Sequence, residues 1–163
     1  MDVQPLISKA CKEDLNGILE IENENFGDDS FNRSQFVRAL KNERAIFIKA
    51  EIPGLNGAKK KLAGYALGFG KKVGKPGSQY FSAYLYSIAV AKAAQGMSIG
   101  KKLLLEFHRL VKSRDCANIY LEVRTDNAAA IKLYESFGYI RKGVVQNYYH
   151  DLSPAFKYFK NDL

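Results

Sequence analysis

Apolar residues recur along this chain with a period that switches between helical and strand-like several times. From Glu13 to Phe26, the positions Leu15, Ile18, Leu19 and Glu22 fall at helical spacing with Ile21 beside them, which predicts a helix. Gly27-Asp28-Asp29-Ser30 breaks that pattern. A second short helix is expected over Arg33 to Lys41, with Phe36, Val37 and Leu40 on one side. Strands are expected at Val3 to Ala10, Arg44 to Glu51 and Leu62 to Gly70, the last two separated by the turn cluster Pro53-Gly54-Leu55-Asn56-Gly57. Lys71 to Gln79 contains Gly74, Pro76 and Gly77 and reads as a hairpin loop. Tyr80 to Ala91 carries no charged residue, as suits a central strand covered on both faces.

The clearest helix runs from Ser98 to Arg114, with an apolar stripe of Leu103, Leu104, Phe107, Leu110 and Val111. Ala117 to Arg124 predicts a strand. Asp126 or Asn127 is placed to cap a further helix, Ala128 to Phe137, and Gly138 to end it in a left-handed conformation. Tyr139 to Lys142 and Ala155 to Lys160 are the last strand candidates. The succession of early strands, then strand–helix–strand–helix–strand, predicts an α/β (α+β layered) fold. At 163 residues, a single domain over 1–163 is expected.

Composition narrows the class. Hydrophobic residues make up 47%, enough to fill a core, and no apolar run reaches the roughly 18 residues that would span a bilayer. Met1-Asp2-Val3-Gln4-Pro5 has no basic region followed by an apolar stretch, so no secretory signal is expected. Cys11 and Cys116 are far apart and read as free thiols, which points to a reducing, cytoplasmic setting. The net charge is +8, with clusters at Lys59-Lys60-Lys61, at Lys71-Lys72 with Lys75, and at Lys101-Lys102. These are either solvated faces or an attraction for a polyanion. No zinc ligand set, nucleic-acid motif or basic heptad pattern is present, so neither a metal nor a nucleic-acid partner is expected. His108 is expected to be exposed on its helix, and neither it nor His150 has a sequence partner that would make a catalytic pair.

One turn carries candidate chemistry. A strand followed by Gln95-Gly96-Met97-Ser98-Ile99-Gly100 and then a helix is a phosphate-binding arrangement, because a helix N-terminus offers unpaired N–H groups and partial positive charge. Lys101 and Lys102 sit at the end of the helix where cations oppose its dipole, a conflict that a bound anion would relieve. The turn lacks the Gly-Lys-Ser/Thr ending of a Walker loop and the three-glycine spacing of a dinucleotide fingerprint. Gly-rich turns between strand and helix are also common without any ligand.

Taken together, the strand Tyr86-Ser87-Ile88-Ala89-Val90, the turn from Gln95 to Gly100, Leu121-Glu122-Val123-Arg124, Asn127 and Leu133-Tyr134-Glu135-Ser136-Phe137-Gly138-Tyr139 resemble the core of the GNAT family of acyl-CoA-dependent N-acetyltransferases. The resemblance is strong from Tyr86 to Asp151 and faint before Leu62. It implies a mixed central sheet of about six to seven strands flanked by about four helices, with acetyl-CoA as the acyl donor. By the same resemblance, Gln95, Gly96, Met97, Ser98, Ile99, Gly100 and Lys101 would hold the pyrophosphate. Ile88, Ala89 and Val90 would hydrogen-bond the pantetheine arm through their backbone, their side chains serving the core. Asn127 would contact the cofactor, cap its helix, or do both. Ser98 departs from the family pattern, which has glycine at that place. A positive φ there would cost on the order of 1 kcal/mol, while the hydroxyl offers a donor to a phosphate oxygen.

Acetyl transfer to an amine needs a neutral amine, a polarised thioester carbonyl and a protonated leaving thiolate. An ammonium with a pKa of about 8 is roughly 10% neutral at pH 7, against about 0.04% for a lysine, so an α-amine asks less of a base. Glu122-Val123-Arg124, with Asn127 and Tyr134, resembles the ribosomal-protein alanine N-acetyltransferases of the RimI type. This implies Glu122 as general base through water and Tyr134 as acid toward the thiolate. From the residues alone, the alternatives are an outward, solvated carboxylate for Glu122 and a packing residue for Tyr134. Tyr148 and Tyr149 fall where the resemblance places the acceptor-peptide loop, or they are interface aromatics. Asp28 and Phe31, with Asp29 and Ser30, would line the acceptor pocket. The expected partners are acyl-CoA and a protein or peptide N-terminus, with a lysine or small-molecule amine as the alternative, in a monomer or homodimer without membrane association. A GNAT-fold module that binds acyl-CoA without catalysis is a further alternative, motivated by Ser98.

Overall fold

The computed structural model describes residues 4–163, so Val3 of the first expected strand lies outside the described residues. Among these residues, seven strands form one sheet: β1 (Leu6–Lys9), β2 (Ala45–Ile52), β3 (Lys61–Val73), β4 (Tyr80–Val90), β5 (Cys116–Arg124), β6 (Ile140–Val145) and β7 (Ala155–Lys160). Their spatial order is β1-β2-β3-β4-β5-β7-β6. Every neighbouring pair is antiparallel except β4 and β5, which are parallel and joined by a crossover through a helix. Among the described residues there are four α-helices, α1 (Leu15–Phe26), α2 (Arg33–Lys41), α3 (Ile99–Ser113) and α4 (Ala128–Ser136).

Alternation along the strands divides the core into two layers. In β2, Ile46, Ile48 and Ala50 face the layer that holds Leu103, Leu104, Phe107 and Val111 of α3 and Tyr134 of α4. Ala45 and Phe47 face the opposite layer with Leu15, Ile18 and Ile21 of α1 and Phe36 of α2. The stripes read from the sequence thus cover opposite faces of one sheet. Gly68 is where the α3 layer comes closest, since a Cβ there would lie 2.4 Å from the Phe107 ring and 2.7 Å from the Tyr84 carbonyl.

Several expectations shift at their edges. The hairpin between β3 and β4 is strand as far as Val73, so Lys71 and Lys72 pair with Ser82 and Phe81 instead of lying in the loop. β4 is central only from Ser82 onward. Tyr80 and Phe81, at 46% and 43% exposure, ride on the protruding hairpin and are not covered on both faces. Gly138 takes φ +83 after α4, the left-handed ending expected of it. Among the described residues, no helix is long and apolar enough to cross a membrane. Cys11 and Cys116 are both unpaired.

Candidate active site

The site begins where two parallel strands separate. β4 and β5 pair only from Phe81 with Cys116 to Tyr84 with Tyr120. Beyond Tyr84, β4 continues to Val90 and β5 to Arg124 on diverging lines, and the gap between them is a cleft of about 1070 Å³. That is ample for a cofactor-sized ligand with part of a second one. On its other side β4 stays paired to β3. The register jumps there from Leu67 opposite Ser87 to Gly68 opposite Leu85, leaving Tyr86 as the extra residue of a bulge. The bulge falls just where β4 leaves β5, and Ile88, Ala89 and Val90 beyond it line the cleft. The Val90 carbonyl is taken on one side by Asn25 Nδ2 at 3.1 Å and Gln95 Nε2 at 3.3 Å.

The expected phosphate turn closes one end of the cleft, through Gln95 and Gly100. Ser98 stands as N-cap of α3 with φ +58 and ψ +19, in the left-handed region, so its strain is the positive-φ case. Its side chain makes no capping bond. The first i→i−4 bond of α3 runs from the Lys102 N–H to the Ser98 carbonyl at 3.2 Å, which leaves the amides of Ile99, Gly100 and Lys101 ahead of the helical ladder. A Cβ at Gly96 would meet no protein atom within 4 Å, so space remains open over the turn. Free amides, open space and an exposed strand edge fit an elongated anionic ligand. The side chains of this turn divide: Ile99 is buried at 1% in the core and Met97 packs against it, while Lys101 is exposed. No lysine lies among the residues lining the cleft.

Glu122 and Tyr134 come together on the cleft walls, from β5 and α4. Glu122 is partly buried, and its Oε2 is shielded from solvent without a hydrogen-bond partner. Tyr84 of β4 lies next to it. Burial first, and then interaction with the Glu122 carboxylate and Tyr148, push the Tyr84 phenol far above its usual pKa. Tyr134 is 6% exposed, with its ring 5.6 Å from that of Tyr139. Burial, and then the neighbouring Tyr149, raise its pKa as well, so it stays a neutral phenol. Asn127 caps α4 by accepting the Ala130 N–H at 3.2 Å, and it also lines the cleft.

Two loops form the other end of the cleft. The turn after α1 brings Asp28, Asp29 and Phe31, and the β6–β7 loop brings Tyr148, Tyr149 and His150. Arg124, at the end of β5, joins them. Its guanidinium meets Asp29 Oδ2 at 2.5 Å and Asp151 Oδ1 at 3.1 Å and lies 4.4 Å over the Tyr149 ring. Asp29 also accepts the His150 N–H at 3.1 Å. Phe31 stacks on Tyr86 with ring centroids 4.2 Å apart. This end is therefore aromatic and rich in carboxylates, suited to a cationic amine on its way to neutrality.

The structure thus gathers Glu122, Tyr134, Asn127, Asp28, Phe31, Tyr148, Tyr149 and residues Ile88, Ala89 and Val90 around one cleft. Tyr84, Tyr86, Glu22 and Asn25 line it too, and the sequence reading had no role for them. The signal for the two tyrosines was present as a period-2 pair leading into Ile88 in an uncharged strand. His108 is not exposed as expected. It is half-buried, its Nε2 lies 2.8 Å from the Tyr139 hydroxyl, and burial followed by the Lys160 charge push its pKa down to about 4.

The acetyltransferase (GNAT) family model matches residues 13–139. The N-alpha-acetyltransferase RimI of Mycobacterium tuberculosis is 33% identical over 150 residues, covering 91% of this chain and 87% of the relative. The crystal structure of the ribosomal-protein-S18-alanine N-acetyltransferase from Escherichia coli superposes with a TM-score of 0.75 at 28% identity, covering 96% of this chain and 92% of that one. Arabidopsis thaliana NAA60 in complex with acetyl-CoA gives a TM-score of 0.82 over 96% of this chain and 98% of that one; at 14% identity it speaks for the fold alone.

Proposed function

The chain belongs to the acetyltransferase (GNAT) family, and from that membership we propose that it transfers the acetyl group of acetyl-CoA to the α-amine at the N-terminus of a protein or peptide. The observation that carries the reading is the meeting of three groups on one cleft: Glu122 with a shielded, unpartnered oxygen, the buried phenol of Tyr134, and an aromatic, acidic mouth between two loops. The RimI enzyme of Mycobacterium tuberculosis is an N-alpha-acetyltransferase, and that likeness extends over 91% of the chain. Acetyl-CoA is the acetyl donor, with its pyrophosphate over the Gln95–Gly100 turn and its pantetheine arm along Ile88, Ala89 and Val90.

In this reading Glu122 is the general base, receiving the proton of the attacking amine through water. The amine nitrogen forms its bond to the thioester carbon and the carbon–sulfur bond breaks. Tyr134, whose phenol is protonated at neutral pH, gives its proton to the departing thiolate. The transfer is direct, with no acyl-enzyme. Asn127 has two tasks, capping α4 and facing the cofactor end of the cleft. We place the protein in the cytoplasm, in keeping with its two unpaired cysteines.

The deciding experiment is a mass-spectrometric screen of peptides with free N-termini, N-terminally blocked lysine peptides and polyamines, each with acetyl-CoA. Acetylation of free N-termini with blocked lysine peptides unmodified is the expected result. Preferential modification of lysine or polyamines overturns the acceptor assignment, and tight CoA binding without any acetylation overturns the catalytic one.

A further inference from the structure

Glu22 is a carboxylic acid in the middle of an apolar layer, and nothing in the catalytic scheme uses it. It lies in the second half of α1 and is 0% exposed, behind the cleft surface. A buried acid is costly unless its oxygens find donors. These donors come from three separate elements. Oε1 accepts the Phe31 N–H at 2.9 Å. Oε2 accepts the Tyr65 hydroxyl of β3 and, at 3.3 Å, the Ser87 hydroxyl of β4. The Glu22 backbone carbonyl accepts the Ser30 hydroxyl at 3.3 Å. Ser87 directly follows the extra residue of the β4 bulge, Tyr86, on which the Phe31 ring stacks.

These contacts share one consequence. The segment 27–31 has few backbone bonds of its own to the body of the protein, and Glu22 ties its last residue to the two central strands. Phe31, Asp28 and Asp29 are set over the cleft mouth by that tie. An apolar residue at 22 would fill the layer equally well, so packing alone does not call for a carboxyl group there. Burial raises the group to about 7, against the lowering effect of the bonds it accepts from the Phe31 N–H and the Ser87 hydroxyl.

We propose that Glu22 is a positioning residue for the acceptor: by holding the Phe31 amide against the β4 bulge, it fixes the acceptor side of the cleft without touching either substrate. This rests on the reading of the 27–31 and 147–151 loops as the acceptor side. Glu22→Ala removes the acceptor of the Phe31 N–H. Glu22→Gln keeps a carbonyl oxygen for that N–H and gains an NH₂ that can donate to the Tyr65 and Ser87 oxygens.

The test combines two measurements on the full chain: steady-state kinetics with a peptide acceptor, and amide hydrogen exchange followed by mass spectrometry. For Glu22→Ala the acceptor KM rises about tenfold or more while the acetyl-CoA KM stays within twofold. Exchange accelerates in 27–32 and not in α3. Glu22→Gln returns the acceptor KM to within about threefold of the starting protein. Tyr65→Phe with Ser87→Ala, which frees Oε2 but spares the Phe31 bond, gives an intermediate KM and stands in for Glu22→Ala should that variant not fold. An unchanged acceptor KM, or parallel changes in both KM values with faster exchange in α3, overturns the proposal and makes Glu22 a stability residue only. If the protein acetylates no peptide, the acceptor reading itself has failed, and the exchange data alone decide whether Glu22 holds the loop: no local change in 27–32 refutes it.

Discussion

The Arg124 guanidinium and the Asp29 carboxylate meet at 2.5 Å, with side-chain exposures of only 25% and 16%, and so join the end of β5 to the loop after α1. Asp151 and the Tyr149 ring complete the shell around Arg124 from the β6–β7 loop. Three chain segments far apart in sequence are thereby closed around one cation at the mouth of the cleft.

Removing that cation is expected to loosen the mouth and leave the far end alone. Arg124→Ala should lower kcat/KM for a peptide acceptor about tenfold, equivalent to about 1.4 kcal/mol, with CoA affinity unchanged. In a double-mutant cycle with Asp29→Asn, a coupling of about 1 kcal/mol is expected, above the usual value for exposed pairs because this one is mostly shielded. Additive losses would show that the two side chains act independently.

The proposed chemistry makes a sharper demand on two other residues. Glu122→Gln and Tyr134→Phe should each cut kcat about 10²-fold or more on a proven acceptor, with acetyl-CoA binding by calorimetry within a few-fold. The two should also differ in pH dependence. Loss of the base is partly offset as rising pH supplies neutral amine, whereas loss of the acid is not. Full kcat in either variant would remove that residue from the mechanism.

Ser98 offers a test of strain at the cofactor turn. Its φ of +58 lies in the region that L-residues enter at a cost of about 1–2 kcal/mol. Ser98→Gly should raise the unfolding free energy by about 0.5–1 kcal/mol, the remainder being lost to the freer unfolded chain. Ser98→Val should lower it by more than 1 kcal/mol, since a β-branched side chain tolerates positive φ poorly. CoA titrations of the same proteins separate backbone shape from hydroxyl contact. If Ser98→Gly binds CoA at least as well as the parent, the serine hydroxyl contributes nothing essential there.

Much of this architecture was legible in the residues because local pattern and global fold agree. The α3 stripe from Leu103 to Val111, the strand around Leu121 and the Gly138 ending all follow from short-range periodicity and turn chemistry. The motif residues Glu122, Asn127 and Tyr134 were legible as well, and they share one cleft. What escaped was set by tertiary contact. Glu22 fits a helical stripe, and its role depends on Tyr65, Ser87 and Phe31, up to 65 positions away in sequence. His108 lies on a charged stretch of helix, and only the folded chain brings the Tyr139 hydroxyl to its ring. The sign of φ at Ser98 depends on how the turn enters α3, which no side-chain pattern encodes.

Those two hidden groups make opposite demands on pH. Burial, with the Lys160 charge, holds the His108 imidazole down at about 4, below the roughly 6.5 of an unfolded histidine. The unfolded chain therefore takes up more protons between about pH 6.5 and 4, and stability falls on acidification through that window. Burial holds Glu22 up at about 7, above the roughly 4.3 of an unfolded glutamate. Here the native state takes up more protons, so its contribution is fully present below about pH 4.3 and is lost as pH rises through about 7. Each slope is at most about 1.4 kcal/mol per pH unit, and the half-buried His108 should give less than that. In urea unfolding between pH 7 and 5 the two terms should largely offset each other, leaving a shallow profile. His108→Gln should uncover a rise in stability toward pH 5, and Glu22→Gln a fall, each by roughly 1–2 kcal/mol relative to the parent. Two variant profiles that run parallel to that of the parent would show that neither group changes its protonation on folding.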